Sequence, residues 1–269
     1  MEYEQSSRRS TCAARPAHTS RSAIKRARAR IRLHPDFSLT AKLPPCRASC
    51  LETTSPTSRR KTTCGKINFY EFLGNSWGIL FSHPGDYTPV CTTELARAAQ
   101  LYPEFARRGI RMISLSVNSM EDHRGWIKDI NAYNGDKISG AMPFPMIADE
   151  KRDVSIKLGM LNAETDYIDL PLTVRSVFII DPDKKLKLSL LYPASTGRNF
   201  DEILRVVDSL QLTAKHKIAT PVDWQPGDKV IVSSSVSEDE ARKLFPCGVC
   251  TKDLPSGKKY LRFTPQPRD

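Results

Sequence analysis

Cys91 stands where an apolar run, Trp77 to Phe81, gives way to a helical pattern in which Leu95, Ala98, Ala99, Leu101, Tyr102 and Phe105 recur. A thiol at a helix N-terminus faces unpaired backbone N–H groups and the positive end of the helix dipole. Both favour the thiolate, which is the nucleophilic form. Thr88, one turn earlier, offers a hydroxyl that can donate and accept, and Pro84 and Pro89 stiffen the loop presenting the pair. Such a group suits attack on an electrophile held by the hydroxyl. The spacing alone also fits a buried structural cysteine that begins a helix.

The other six cysteines are Cys12, Cys46, Cys50, Cys64, Cys247 and Cys250. Cys247-Gly248-Val249-Cys250 reads as a redox dithiol or as half a zinc site. Zinc would need two more ligands, and only Cys46 and Cys50 are spaced to help, so no metal site is expected. The pair lacks the strand-to-helix setting of a thioredoxin motif. It is expected to be two surface cysteines, with an accessory resolving role as the alternative.

The text around Cys91 carries a resemblance. Pro-x-x-x-Thr-x-x-Cys, within Ser82-His83-Pro84 and Thr88-Pro89-Val90-Cys91-Thr92-Thr93-Glu94-Leu95, resembles the peroxidatic signature of the peroxiredoxins. Lys128 to Tyr133, Tyr192 to Asn199, Thr220 to Trp224 and Leu254 to Arg262 are similar to the one-cysteine, peroxiredoxin-6 type, and the likeness runs from about Thr62 to Pro267. It implies a thiol-dependent peroxidase for hydrogen peroxide and organic or lipid hydroperoxides, with no cofactor. In that reading Cys91 attacks the peroxide and becomes a sulfenic acid. Arg175 lies against the sulfur, Thr88 orients the peroxide and Pro84 closes the pocket, while His83, Glu94 and Arg198 support them. The one-cysteine type has no resolving thiol, so an external one such as glutathione, with a glutathione transferase as a partner, is implied. A homodimer is implied too.

The same resemblance raises a second activity. Gly74-Asn75-Ser76-Trp77-Gly78 fits the Gly-x-Ser-x-Gly elbow. In the peroxiredoxin-6 type the matching serine serves a phospholipase A2 activity with a histidine and an aspartate. Asp183 matches the aspartate, but Tyr70 occupies the histidine position, and a phenol is a poor general base at neutral pH. A phospholipase-like or lipid-binding activity on a phospholipid surface, and a redox-signalling or chaperone role, stand as alternatives to the peroxidase.

These groups need a scaffold. Apolar strand-like runs at Trp77–Phe81, Ile110–Val117, Phe144–Ile147, Val174–Ile180 and Leu186–Leu191 alternate with helical patterns. The helices are expected over Thr92–Arg108, Glu121–Tyr133, Lys151–Leu158 and Asn199–Lys215. The alternation predicts an α/β chain with a central sheet covered by helices, and the resemblance makes that a thioredoxin-like fold over residues 62–218. Ala219 to Trp224 reads as a linker into a small C-terminal peroxiredoxin domain, residues 219–269, that associates with the dimer.

Residues 1–61 are different in kind. They hold fourteen Lys/Arg against four Asp/Glu, a balance of +10, leaving +1 of the chain's +11 for residues 62–269. The basicity therefore does not make the enzyme a nucleic-acid binder. The segment is expected to be disordered. A reading frame shifted by one base that rejoins near Thr62 accounts for its lack of likeness to the family, and would remove the family's first strand or hairpin. No apolar run is long enough for a signal-peptide core or a membrane span, and the thiols suit a cytoplasmic location.

Overall fold

The structure, a computed structural model, describes residues 59–135, 140–161 and 171–268. The reading of residues 1–58, with Cys12, Cys46 and Cys50, lies outside the described residues. In chain order the described elements are β1 (Arg60–Thr62), β2 (Gly65–Ile67), α1 (Phe69–Leu73), β3 (Trp77–Ser82), α2 (Pro89–Gln100), α3 (Tyr102–Arg107), β4 (Ile110–Ser116), α4 (Met120–Tyr133) and β5 (Met146–Ala148). They continue as α5 (Asp153–Lys157), β6 (Arg175–Ile180), β7 (Leu186–Tyr192), α6 (Phe200–Lys215), β8 (Ile218–Ala219), β9 (Val230–Val232), α7 (Glu238–Leu244), β10 (Cys250–Thr251) and β11 (Arg262–Thr264).

Seven strands form one sheet in the order β2-β1-β5-β4-β3-β6-β7. The centre is parallel, β3 with β4 and β4 with β5, and β6 runs antiparallel beside β3. Strand residues alternate faces. Ile79, Phe81, Met112, Val177 and Ile179 therefore pack on one side with residues of α2, α4 and α6, while Leu80, Ile113, Leu115, Phe178 and Ile180 pack on the other with α1 and α5. A sheet covered on both faces explains why its strands read as near-continuous apolar runs. This is the expected thioredoxin-like α/β architecture.

Three local differences have physical causes. The helix expected over Thr92–Arg108 is two helices, and the first begins at Pro89, whose fixed φ and missing N–H suit a first helical position. Pro103 cannot donate within a continuing helix, so the chain breaks at Leu101 and restarts as α3. Of the segment 1–61, expected to be disordered, the end lies in a strand: β1 begins at Arg60 and pairs with β2 and with β5. Strand pairing uses backbone groups, so Arg60 and Lys61 serve it as well as apolar residues.

The C-terminal region forms its own sheet, β10-β11-β9-β8. Within the stretch read as a linker, Ala219 pairs with Ile231, Val222 is exposed, and Trp224 is buried with Leu212 of α6, Ile218, Val230, Val232 and Phe245. A tryptophan this deeply packed ties the region to the end of α6.

Candidate active site

The antiparallel register of β3 and β6, Phe81 opposite Val177, sets the start of β6 beside the end of β3. Arg175 shares a face with Val177, two residues on, and that is the face on which α2 packs. Cys91, third residue of α2, is fully buried there. The Arg175 Nη1 donates to Cys91 Sγ at 3.2 Å and to Glu94 Oε2 at 2.7 Å, while its Nε and Nη2 donate to the Ala194 carbonyl. Both sides of the guanidinium are thus fixed, and only one edge meets the sulfur.

Glu94 lies one helical turn after Cys91 and accepts from two arginines. Arg198 gives it the backbone N–H (2.7 Å), Nε (2.9 Å) and Nη2 (2.8 Å). The Arg198 Nη1 donates to the carbonyls of Ser82 and Ser176, and the guanidinium lies over the Phe81 and Phe200 rings. Burial pushes the Glu94 carboxyl up, but the charge and hydrogen bonds of Arg198, with Arg175 adding to them, outweigh it and hold the group below its ordinary value. Two buried guanidiniums and one carboxylate leave one positive charge uncompensated. A Cys91 thiolate neutralises it.

Thr88 is the N-cap of α2, yet its side chain caps nothing. Its hydroxyl donates to the Gly85 carbonyl at 2.9 Å instead, which leaves the oxygen lone pairs to accept from a ligand. No side-chain hydrogen bond caps α2, which leaves first-turn N–H groups beside the sulfur without a capping partner. Pro84 and Gly85 are buried under this turn.

His83, just before Pro84, makes no hydrogen bond to Cys91. Its Nε2 meets Asp86 Oδ1 at 2.8 Å, and Asp86 Oδ2 meets His123 Nδ1 of α4 at 2.5 Å. Asp86 and His123 carry no assigned role in the sequence. The readable signal is His123 on the buried stripe of α4 with Trp126, Ile127 and Ile130.

Among the described residues no hydrogen bond joins the Ser76 hydroxyl to Asp183. Ser76 lies in the turn from α1 into β3, its N–H bonded to the Leu73 carbonyl, so it precedes a strand where the elbow needs a helix to follow. Asp183 is exposed in the β6–β7 turn. His83 is sealed in the core against Asp86. Cys247 and Cys250 are exposed thiols on the turn into β10, and Cys64 is exposed after β1. Among the described residues no cluster of three or more His, Cys, Asp or Glu could hold a metal ion.

The AhpC/TSA family profile matches residues 35–189, and that of the C-terminal domain of 1-Cys peroxiredoxin matches residues 209–247. The chain is 65% identical to Peroxiredoxin-6 of Gallus gallus over 214 residues, covering 79% of this chain and 96% of that one. It is 62% identical to Peroxiredoxin-6 of Homo sapiens over 218 residues, covering 81% and 97%. Among solved structures, a mutant Peroxiredoxin 6 of Arenicola marina aligns with TM-score 0.76 and 55% identity over 80% of this chain and 96% of that one. A yeast mitochondrial 1-Cys peroxiredoxin, described as resolved via glutathione/thioredoxin systems, aligns with TM-score 0.68 and 46% identity over 77% and 95%.

Proposed function

Because the chain belongs to the peroxiredoxin family and is a thiol-dependent peroxidase, we propose that Cys91 is its peroxidatic nucleophile. The observation that carries this reading is the fixed Arg175 edge 3.2 Å from a buried sulfur, in a cluster that becomes electroneutral with the thiolate. The thiolate attacks the terminal peroxide oxygen, the O–O bond breaks, and an alkoxide or hydroxide leaves and takes up a proton. Arg175 and the open N–H groups of α2 meet the charge on the departing oxygen. Thr88 accepts from the peroxide O–H, and Pro84 keeps water from the sulfur. Glu94 and Arg198 hold Arg175 in place.

Cys91 sulfenic acid then condenses with an external thiol, releasing water, and a second thiol frees Cys91 as a disulfide of the two reductants forms. Glutathione, delivered with a glutathione transferase, is the reductant we favour, in a cytoplasmic setting. The yeast relative, described as resolved via glutathione/thioredoxin systems, supports an external thiol as reductant. A homodimer is supported by β7, an edge strand whose outer rim carries an exposed Leu191. A phospholipid-directed activity is not favoured, since Tyr70 stands at the position of the phospholipase histidine and Ser76 precedes a strand.

The test is to mix reduced protein with a slight excess of hydrogen peroxide and map the oxidised cysteine by mass spectrometry. Sulfenic acid confined to Cys91 is expected. A disulfide from Cys91 to Cys247 or Cys250 would replace the external-thiol step, and slow oxidation of Cys91 would overturn the assignment.

A further inference from the structure

The loop from His83 to Thr88 is pinned at a residue that takes no part in the chemistry above. The side chains of His83, Asp86 and His123 are all fully buried. His123 Nε2 faces the Ile147 carbonyl at 3.2 Å, an acceptor only, and Nδ1 faces the Asp86 carboxylate. One buried imidazole therefore ties the Asp86 carboxylate of the loop to α4 and to the Ile147 carbonyl. Burial holds His83 below its ordinary value, so it stays neutral and donates from Nε2 to the other oxygen of Asp86. The Asp86 backbone N–H donates to Asn118 Oδ1 at 3.0 Å, and Ser116 Oγ lies 3.1 Å from the same oxygen. Asp86 is therefore fixed through its main chain to the end of β4 and through its side chain to α4.

The next two residues depend on such fixing. Tyr87 has φ +56°, a left-handed conformation that a non-glycine residue keeps only when its surroundings enforce it. Its hydroxyl reaches the Cα side of Gly125 in α4, where a β-carbon would collide with it. Thr88 comes immediately after, its hydroxyl direction set by the return bond to Gly85.

We propose that Asp86, gripped by His83 and His123, is a latch that holds Tyr87 in its left-handed turn and so aims Thr88 at a peroxide beside Cys91. Asp86 and His123 are positioning residues, and the inference rests on Cys91 being the nucleophile. The sulfur takes its hydrogen bond from Arg175 and none from either of them, so losing them disturbs peroxide alignment and leaves the sulfur's own donor in place.

The experiment compares two reactions of Cys91 in the full chain at one pH: oxidation by hydrogen peroxide, and alkylation by iodoacetamide, which needs the thiolate but not the peroxide-aligning loop. In Asp86→Asn, oxidation slows roughly tenfold or more while alkylation stays within about twofold, the scale expected when a reacting group is misplaced by about 1 Å. His123→Gln, which keeps one amide donor, shows the same split with a smaller loss, and it decides the matter if Asp86→Asn fails to fold. Oxidation unchanged in both variants, or oxidation and alkylation falling together, overturns the latch. Loss of the nucleophile assignment is a separate outcome, seen as peroxide turnover that survives Cys91→Ser.

Discussion

Two cysteine neighbourhoods in one chain have opposite surroundings. Cys91 is enclosed, in the first turn of a helix whose N-terminus is uncapped, with a guanidinium on its sulfur and a second arginine behind it. Cys247 and Cys250 sit on a turn at the surface, Cys250 on the edge strand of a small sheet, with no arginine or lysine donating to either sulfur among the described residues. The difference teaches that thiol chemistry comes from what converges on the sulfur. A Cys-x-x-Cys spacing brings two thiols near each other in sequence but supplies no charge, no oxyanion site and no enclosure.

The largest effect that could break this contrast is at Cys91 itself. Cys91→Ser is expected to abolish peroxide-dependent oxidation of added thiol in a coupled assay, with the fold intact by circular dichroism. Residual turnover above a few per cent would shift the chemistry to the surface pair. Next comes the charge on the sulfur. Arg175→Lys keeps a cation but loses the rigid edge that meets sulfur, Glu94 and Ala194 together, and the second-order rate with hydrogen peroxide should fall by about 10²-fold, the cost of one transition-state donor. Stopped-flow tryptophan fluorescence reads this directly.

Glu94→Gln acts on stability as well as rate. It leaves two buried guanidiniums facing each other, and breaking a buried pair in this way costs about 3–5 kcal/mol. Chemical denaturation should show a loss of that order, where a cysteine change on the surface turn shows almost none. The same enclosure predicts an acid response. His83 is held below the ordinary histidine value of 6.5, so between that depressed value and 6.5 the unfolded chain binds more protons. Stability is full above 6.5 and declines as pH falls beneath it. Asp86 and Glu94 lie below ordinary values of 3.8 and 4.5, so their contributions are lost only as pH drops further through their folded values. Melting curves from pH 8 to 4 should be flat above about 7 and fall below 6.5. His83→Gln should remove the first decline, and a wild-type melting temperature that rises on acidification would contradict the scheme.

Much of this is legible in the residues, for identifiable reasons. Apolar strands buried on both faces announce themselves, so β3, β4 and β6 fall within a residue or two of the expected runs, and the edge strand β7 shows itself by alternation, whereas the short hairpin β1–β2 and the strands of the C-terminal sheet are too short to show a period. The join at Leu101 depends on where Pro103 falls in a pattern that otherwise runs on as one helix. Around the site, the motifs single out Cys91, Thr88, Pro84, Glu94, Arg175 and Arg198 as a group, and the fold brings Cys91, Glu94, Arg175 and Arg198 into direct contact. Asp86 and His123 stay hidden because their meaning depends on a pairing 37 residues apart in the chain, which no local pattern reveals. Trp224 reads as linker since its neighbours Pro221 and Pro226 look like punctuation, although the indole between them is core.

The smallest expected effect is also the one that sharpens the contrast most. Replacing both Cys247 and Cys250 by serine should leave the peroxide rate and the rate of thiol-driven turnover within about twofold of wild type, as substitutions at exposed positions generally do. Cys247 borders a cavity of about 1070 Å³ whose walls come from α6, α7 and the C-terminal strands, among them Leu212, Phe245 and Thr264. Cys91 packs in the core against β3, α2 and α6, among residues such as Phe81, Leu95 and Phe200. A disulfide needs Cα atoms within about 7 Å and a defined torsion, and a sulfur with no exposed surface offers no approach to a surface thiol until α2 unwinds its first turn. That cost falls on each catalytic cycle if the pair resolves Cys91, and an external small thiol meets it with a smaller opening. The double serine variant should therefore be distinguishable from wild type only when thiol is withheld, and even then by no more than loss of whatever disulfide the two surface thiols form with each other. A fall in turnover under saturating external thiol would place Cys247 or Cys250 in the cycle and erase the distinction between the two neighbourhoods.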